Sequence, residues 1–152
     1  MKDTHIKYIE GVKYWLQEDY HFKTKIVGHT INTDFSSLDP EGNAVLKKGF
    51  ACDGPSGPTV DTPDFMRGAF EHDIKYEWMR QGLIPQDWRY TADFELRETC
   101  LEDGMPKARA DIVFRAVDAF AGFAADPKNI REILVAPRPE DPDIDEHDFM
   151  GA

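Results

Sequence analysis

A histidine, two carboxylates and a tyrosine are spaced along the chain as an acid–base site requires. His72 and Tyr76 are four residues apart, so in a helix they share a face, while Asp73 is rotated by about 100° from His72. His72 could then reach a water molecule while Asp73 reaches a metal ion. As a general base, His72 needs one unprotonated ring nitrogen and a partner that holds the other, and Asp93 is the best candidate for that partner.

Two tyrosines and a loop complete the candidate site. The hydroxyls of Tyr76 and Tyr90 are expected to donate hydrogen bonds to the Asp93 carboxylate. Upstream, the run Asp53-Gly54-Pro55-Ser56-Gly57-Pro58 can expose backbone carbonyls, because glycine allows unusual dihedral angles and proline has no N–H. Calcium takes about six to eight oxygen ligands from carboxylates and carbonyls, so Asp73 and this loop predict a calcium site. Zinc fits less well, since one histidine among carbonyls is a poor set of zinc ligands.

Periodicity predicts strands first and helices afterwards. Alternation over residues 12–17, even spacing of apolar residues over 20–26 and the run 45–50 predict a small antiparallel sheet, with a turn-rich connection over 34–43. From residue 62 the period becomes helical. The chain is therefore expected to have an α+β fold, with an N-terminal sheet followed by three helices.

The predicted helices bring the candidate residues together. Thr62 is a suitable N-cap, followed by Pro63 at the first helical position, and Gly82 ends this first helix. A second helix is predicted over about 86–102 and a third from about 106 to 125. Two antiparallel helices with a short connection place His72 opposite Asp93. On the second helix, one face is expected to carry Phe94, Arg97 and Leu101.

Length and composition predict one folded domain and a tail. Residues 1–136 are expected to form a single globular domain, with a strand-rich part at 1–51, a loop at 52–61 and helices over 62–124. Residues 137–152 carry −5 of the net charge of −11 and several prolines, and are expected to be an extended acidic tail.

Composition also argues against several classes of protein. There is no basic stripe for nucleic acid and no apolar run of membrane-spanning length. The first residues lack the pattern of a secretory signal. Cys52 and Cys100 are too few for a disulfide framework and match no zinc motif, so reduced thiols are expected.

The run His72-Asp73-x-x-Tyr76 behind a glycine-containing loop resembles the active-site signature of phospholipases A2, especially the small disulfide-free type of parvovirus capsid proteins. The resemblance implies that His72 is the general base, that Asp93 orients it and that Asp73 binds calcium. It also implies calcium ligation by the backbone carbonyls of three loop residues: Cys52, Gly54 and Ser56.

The layout over roughly residues 12–124 is also similar to a family of phage and prophage proteins of unassigned function. The shared features are Gly49-Phe50-x-x-Asp53-Gly54-x-Ser56, the histidine helix, and a second helix with Ala92-Asp93. Asp53 departs from the phospholipase pattern, which has a neutral residue there. Together the resemblances imply calcium-dependent hydrolysis of a phospholipid or small ester, in a phage virion or the host cytoplasm, with other phage proteins as further partners.

Other interpretations of the same residues remain open. The His72–Asp93 pair could be a buried polar contact that only fixes helix register, and the loop could be simple turns. The whole chain could then be a non-catalytic phage virion or host-interaction protein. A metal-dependent phosphohydrolase is disfavoured, because His29 lies in the strand-like part. Ser56 lacks the Gly-x-Ser-x-Gly context of a nucleophile.

Overall fold

Residues 6–8, 14–52, 62–125 and 134–136 are described by the computed structural model. Their elements, in chain order, are β1 (Ile6–Tyr8), β2 (Tyr14–Trp15), β3 (Tyr20–Lys23), β4 (Ile31–Asn32), β5 (Ser36–Leu38), β6 (Asn43–Leu46), β7 (Ala51–Cys52), α1 (Pro63–Arg80), a 3₁₀ turn (Gln86–Trp88), α2 (Arg89–Glu102), α3 (Lys107–Ala125) and β8 (Leu134–Ala136). The predicted α+β fold, with antiparallel sheet before three helices, is confirmed.

The chain divides into two compact units, one formed by residues 1–11 with 131–152 and the other by residues 12–130. In the first unit, β1 pairs antiparallel with β8, Lys7 lying opposite Val135. The predicted acidic tail at 137–152 lies outside the described residues, and the predicted domain boundary after residue 136 stays a prediction.

The second unit begins with antiparallel sheet. Strands β3, β6, β5 and β4 form a four-stranded sheet in that order, and β2 pairs with β7. The turn-rich connection predicted over 34–43 is wrong in its middle, because Ser36–Leu38 is a strand between β4 and β6. Its Ser36 and Leu38 side chains are buried. Two serines beside a single leucine hide the apolar alternation that marks a strand.

The helix boundaries follow the sequence signals closely. Thr62 has the extended backbone of an N-cap, Pro63 is the first residue of α1, and Gly82 adopts a positive φ of 71° just beyond its end. The helix predicted over 86–102 is confirmed as the 3₁₀ turn followed by α2. The helix α3 occupies the predicted range.

The face of α2 that carries Phe94, Arg97 and Leu101 is partly exposed and is not its most buried face. The buried side chains of α2 are those of Ala92, Asp93, Leu96, Thr99 and Cys100. Phe94 is instead partly exposed, with the cationic groups of Lys25 and Arg97 lying 5.8 and 5.9 Å from its ring centre. The buried face is built mainly from small and polar residues, which periodicity of large apolar side chains does not reveal.

The core lies between the sheet and the helices. Buried Ile26, Leu38 and Leu46 from the strand-rich part join Phe65 and Trp78 from α1 in one apolar cluster. None of the helices, over the residues described, is both long enough and apolar enough to cross a membrane.

Candidate active site

The candidate residues His72, Tyr76 and Asp93 lie where the helices α1 and α2 pack closely against each other. At Gly68, a methyl group would lie 2.9 Å from Leu96 Cδ1 and 3.3 Å from Cys100 Sγ. A larger residue there would require the Leu96 side chain to move, so the two helices approach closely at this position. We refer to the line of contact formed by Gly68, Leu96 and Cys100 as the seam.

His72 and Asp93 meet beside this seam. The Nε2 atom of His72 lies 2.7 Å from Oδ1 of Asp93, within hydrogen-bond range. The Asp93 side chain is fully buried, whereas that of His72 is 12% exposed. With Nε2–H donating to the carboxylate, the proton-free nitrogen is Nδ1, and Nδ1 makes no hydrogen bond to any described residue. His72 therefore has the arrangement of an oriented general base.

Tyr76 holds the same carboxylate oxygen from one turn further along α1. Its hydroxyl donates to Asp93 Oδ1 over 2.5 Å, and its ring centre lies 4.3 Å from that of His72. Burial, followed by the hydrogen bond to Asp93, raises the pKa of Tyr76, so the hydroxyl keeps its proton and acts as a donor. The predicted role of Tyr76 agrees with this geometry.

The surroundings of His72 favour the neutral form of its ring. Burial lowers the pKa of His72, and the hydrogen bond and charge of Asp93 oppose that effect. A neutral ring can accept a proton, and the nearby carboxylate stabilises the imidazolium that results.

One oxygen of Asp93 has no hydrogen-bond partner among the residues that the structure describes. Both donors use Oδ1, whereas the buried Oδ2 accepts no hydrogen bond from this part of the chain. Such an atom is costly in a protein interior, which makes it characteristic of a functional or water-binding position. The two carboxylate oxygens of Asp93 therefore differ, since Oδ1 accepts both hydrogen bonds and faces His72.

Tyr90 does not take the role predicted for it. Its side chain is 62% exposed, its ring stacks with Phe94, and it meets Phe114 of α3 edge-on. No hydrogen bond from Tyr90 to Asp93 occurs among the described residues. The aromatic neighbours hold its ring while the hydroxyl stays near water.

Asp73, on α1, contacts Cys52, the residue at which the candidate metal loop begins. The Cys52 thiol hydrogen-bonds its carboxyl group, and burial raises the pKa of Asp73 to about 6. The positive charge of Arg80 partly opposes that effect, and the negative charge of Glu77 adds to it. Gly54 and Ser56, the other two predicted ligands, lie outside the described residues.

A set of buried charged residues beside the site was not predicted from the sequence. Glu71 and Lys75 are buried on α1, although charged residues four apart on a helix normally indicate an exposed ion pair. Glu71 accepts hydrogen bonds from Tyr20 and Thr99, at 2.7 and 2.9 Å. Lys75 pairs with Glu95 of α2. One signal in the sequence could have indicated that these residues are buried: they lie in the same helical turns as His72 and Asp93.

Comparison with known proteins found no matching family model, curated protein or solved structure. The chemistry of this site therefore rests on its own geometry and on the resemblance of its motif.

Proposed function

We propose that the protein is a calcium-dependent hydrolase of phospholipid-type esters, in which His72 activates water. The observation that carries the proposal is the 2.7 Å contact between His72 Nε2 and the fully buried Asp93 carboxylate. It holds one ring nitrogen and leaves the other without a partner among the described residues. Tyr76 on the same oxygen supports the arrangement, since it fixes the direction in which the carboxylate faces.

The proton transfers follow from that arrangement. Nδ1 of His72 takes a proton from water as the water oxygen forms a bond to the ester carbonyl carbon. Asp93 stabilises the imidazolium and keeps Nε2–H directed at its own oxygen. When the bond between the carbonyl carbon and the leaving alcohol oxygen breaks, the imidazolium returns the proton to that oxygen. His72 is then neutral again, and a fatty acid and an alcohol have formed.

Asp73 is the described side chain that would contribute to a calcium site. Its carboxylate is a hard oxygen ligand of the type that calcium binds, and carbonyl oxygens are the other usual ligands. Asp73 would hold the ion with carbonyl oxygens of the loop that follows Cys52. Calcium, when bound, supplies positive charge that polarises the ester carbonyl and stabilises its oxyanion.

The substitution His72→Gln is expected to lower the rate of fatty-acid release from phospholipid vesicles by about 10²- to 10⁴-fold, the usual contribution of a general base. Glutamine can still donate a hydrogen bond to Asp93 but has no basic nitrogen. Release is measured with calcium present, and circular dichroism checks that the helices remain.

His21→Gln is the matched control, because His21 is an exposed histidine on β3. It should retain the rate of the unmodified protein. Equal activity of the His72 variant would refute the role of His72 as the base. No release by the unmodified protein from any phospholipid or ester would refute the proposed hydrolysis.

Calcium binding is expected to depend on Asp73. Asp73→Asn should weaken binding by at least about tenfold in calorimetric titration, since the amide loses the charge that attracts the ion. Asp34→Asn, at an exposed position between β4 and β5, should leave binding unchanged. The metal assignment fails if the unmodified protein gives no heat with millimolar calcium.

A non-catalytic phage virion or host-interaction protein is the second candidate. The observation that favours it is that His72–Asp93 is one of several buried polar contacts between α1 and α2, alongside Glu71–Thr99 and Lys75–Glu95. All could serve only to align the helices. Retained fold with no hydrolysis of any lipid or ester would favour this function.

A further inference from the structure

A second charged pair is buried close to the His72–Asp93 pair. The Nζ atom of Lys75 lies 2.7 Å from Oε2 of Glu95, and the two side chains are 1% and 12% exposed. The ammonium group also lies 5.5 Å from the ring centre of Phe22. Removing two charges from water costs several kcal/mol per ion, which close pairing offsets only in part. Stability alone is therefore a weak reason for such a pair.

Glu95 connects three parts of the fold. While its Oε2 contacts Lys75 on α1, its Oε1 accepts hydrogen bonds from the Thr24 hydroxyl at 3.0 Å and the Lys25 backbone N–H at 2.8 Å. Thr24 and Lys25 directly follow β3. Glu95 thus fastens α2 to both α1 and the sheet. We call Lys75, Glu95 and Thr24 the clamp.

The clamp and Asp93 lie on opposite flanks of the seam. Successive residues of a helix are rotated by about 100°, so Asp93 and Glu95 are about 200° apart around α2. Leu96 and Cys100, which contact Gly68 of α1, lie between them in this rotation. On α1, His72 and Lys75 likewise fall on different sides of Gly68.

Contacts on both flanks resist rotation of α2 about its own axis. With Asp93 alone, α2 could roll on the seam. A roll of about 20° would move an atom about 5 Å from the axis by nearly 2 Å. Such a displacement would break the hydrogen bond between His72 and Asp93. Its donor–acceptor distance is 2.7 Å, and hydrogen bonds of this type are not longer than about 3.2 Å.

Other polar contacts on this flank lie further along α2. Thr99 bonds Glu71, and Arg67 bonds Asp103 just beyond the end of the helix. Glu95 is two residues from Asp93, so its contacts control the rotation of the turn that carries the carboxylate.

We propose that Lys75 and Glu95 are positioning residues, which hold α2 against rotation and thereby keep the Asp93 carboxylate in contact with His72. The effect of Lys75 and Glu95 on turnover rests on the proposed hydrolase function. Their effect on the His72–Asp93 hydrogen bond is independent of that function. Neither residue needs to touch substrate for this role.

The test replaces both charges together by apolar side chains of similar size, in the double variant Lys75→Met/Glu95→Leu. Such replacement of a buried ion pair is often neutral for stability, so the helices should still form. The Nε2–H proton of His72, hydrogen-bonded to Asp93, should give a low-field NMR resonance, and the ring ¹⁵N shifts should show its tautomer. We expect the double variant to lose that resonance to exchange with water and to show mixed tautomers. Its kcat should fall about 100-fold with KM nearly unchanged, as misplacement by about 1 Å commonly causes.

Arg97→Met/Asp111→Leu is the matched control, because it removes an ion pair between α2 and α3 at 2.8 Å. It should keep the low-field resonance and the rate. Thr24→Val is a milder second variant, which removes one tether of Glu95 and should shift the same ¹⁵N signals in the same direction. The Thr24→Val variant allows the test to be made even if the double variant does not fold.

The proposal is overturned if a folded double variant keeps the resonance and tautomer of the unmodified protein, or if Thr24→Val leaves them unchanged when the double variant is unfolded. A protein that never hydrolyses lipid, yet loses the resonance in the double variant, would refute the hydrolase function and leave the clamp supported. The two failures are therefore distinguishable.

Discussion

Replacing Asp93 with asparagine is expected to lower the rate of ester hydrolysis by about 10³- to 10⁴-fold while α1 and α2 stay paired. The corresponding change in a serine-protease triad costs about 10⁴-fold, because the histidine is held in the wrong tautomer. The Asp93 side chain is fully buried, so no water replaces its charge. This is the largest effect on activity that the site predicts.

The asparagine has two orientations, and neither restores the site. In the first orientation, the asparagine oxygen takes the position of Oδ1 and still accepts hydrogen bonds from His72 and Tyr76. Its NH₂ group then takes the position of Oδ2, where no described residue offers a hydrogen bond. A buried amide without an acceptor costs about 1–3 kcal/mol. In the reverse orientation the amide donates to Nε2 and moves the histidine proton to Nδ1. In both orientations the asparagine lacks the negative charge with which the Asp93 carboxylate stabilises the imidazolium.

Rates of fatty-acid release and the ring ¹⁵N shifts of His72 measure the two consequences separately. Asp87→Asn is a suitable control, since Asp87 is an exposed acid in the 3₁₀ turn before α2. If Asp93→Asn hydrolyses lipid as fast as the unmodified protein, His72 does not depend on this carboxylate and the proposed mechanism is wrong.

The helices could be predicted well because their ends carry local signals. The extended Thr62, Pro63 and the positive φ of Gly82 belong to α1 itself and need no distant partner. The strand β5 was missed because its identity depends on pairing with β4 and β6. Strand propensity reflects neighbours in the sheet, which a single segment does not contain.

The same distinction applies to the candidate site. His72, Tyr76 and Asp93 could be placed together because helical spacing and an antiparallel helix pair suffice to do so. Tyr90 was misjudged because its ring contacts Phe114 on α3, a contact that the spacing on α2 does not show. Gly54 and Ser56 stay predictions.

Lys75 and Glu95 could not be predicted as buried residues. Lysine and glutamate are almost never fully buried unless they are paired. Their pairing required α1, α2 and the segment after β3 to meet at one point. Local sequence therefore indicates which groups form the candidate site, whereas tertiary contacts decide how firmly those groups are held.

Removing one member of the clamp should therefore be far more damaging than removing both. Glu95→Ala is expected to lower the free energy of unfolding by about 3–5 kcal/mol, because the ammonium of Lys75, 1% exposed, loses its counter-ion. Alanine favours helix at least as well as glutamate, so weaker helix formation cannot explain a loss. Urea denaturation measures the change, and Lys75→Met/Glu95→Leu should recover most of it.

Glu98→Ala makes the same chemical change three residues along α2, where the side chain is 48% exposed and pairs with Arg97. Its effect should be much smaller, since exposed ion pairs contribute little. Equal midpoints for the two alanine variants would mean that Lys75 turns into water when its partner is lost. In that case the flank opposite Asp93 would not be rigid, and α2 would need another contact to hold the carboxylate against His72.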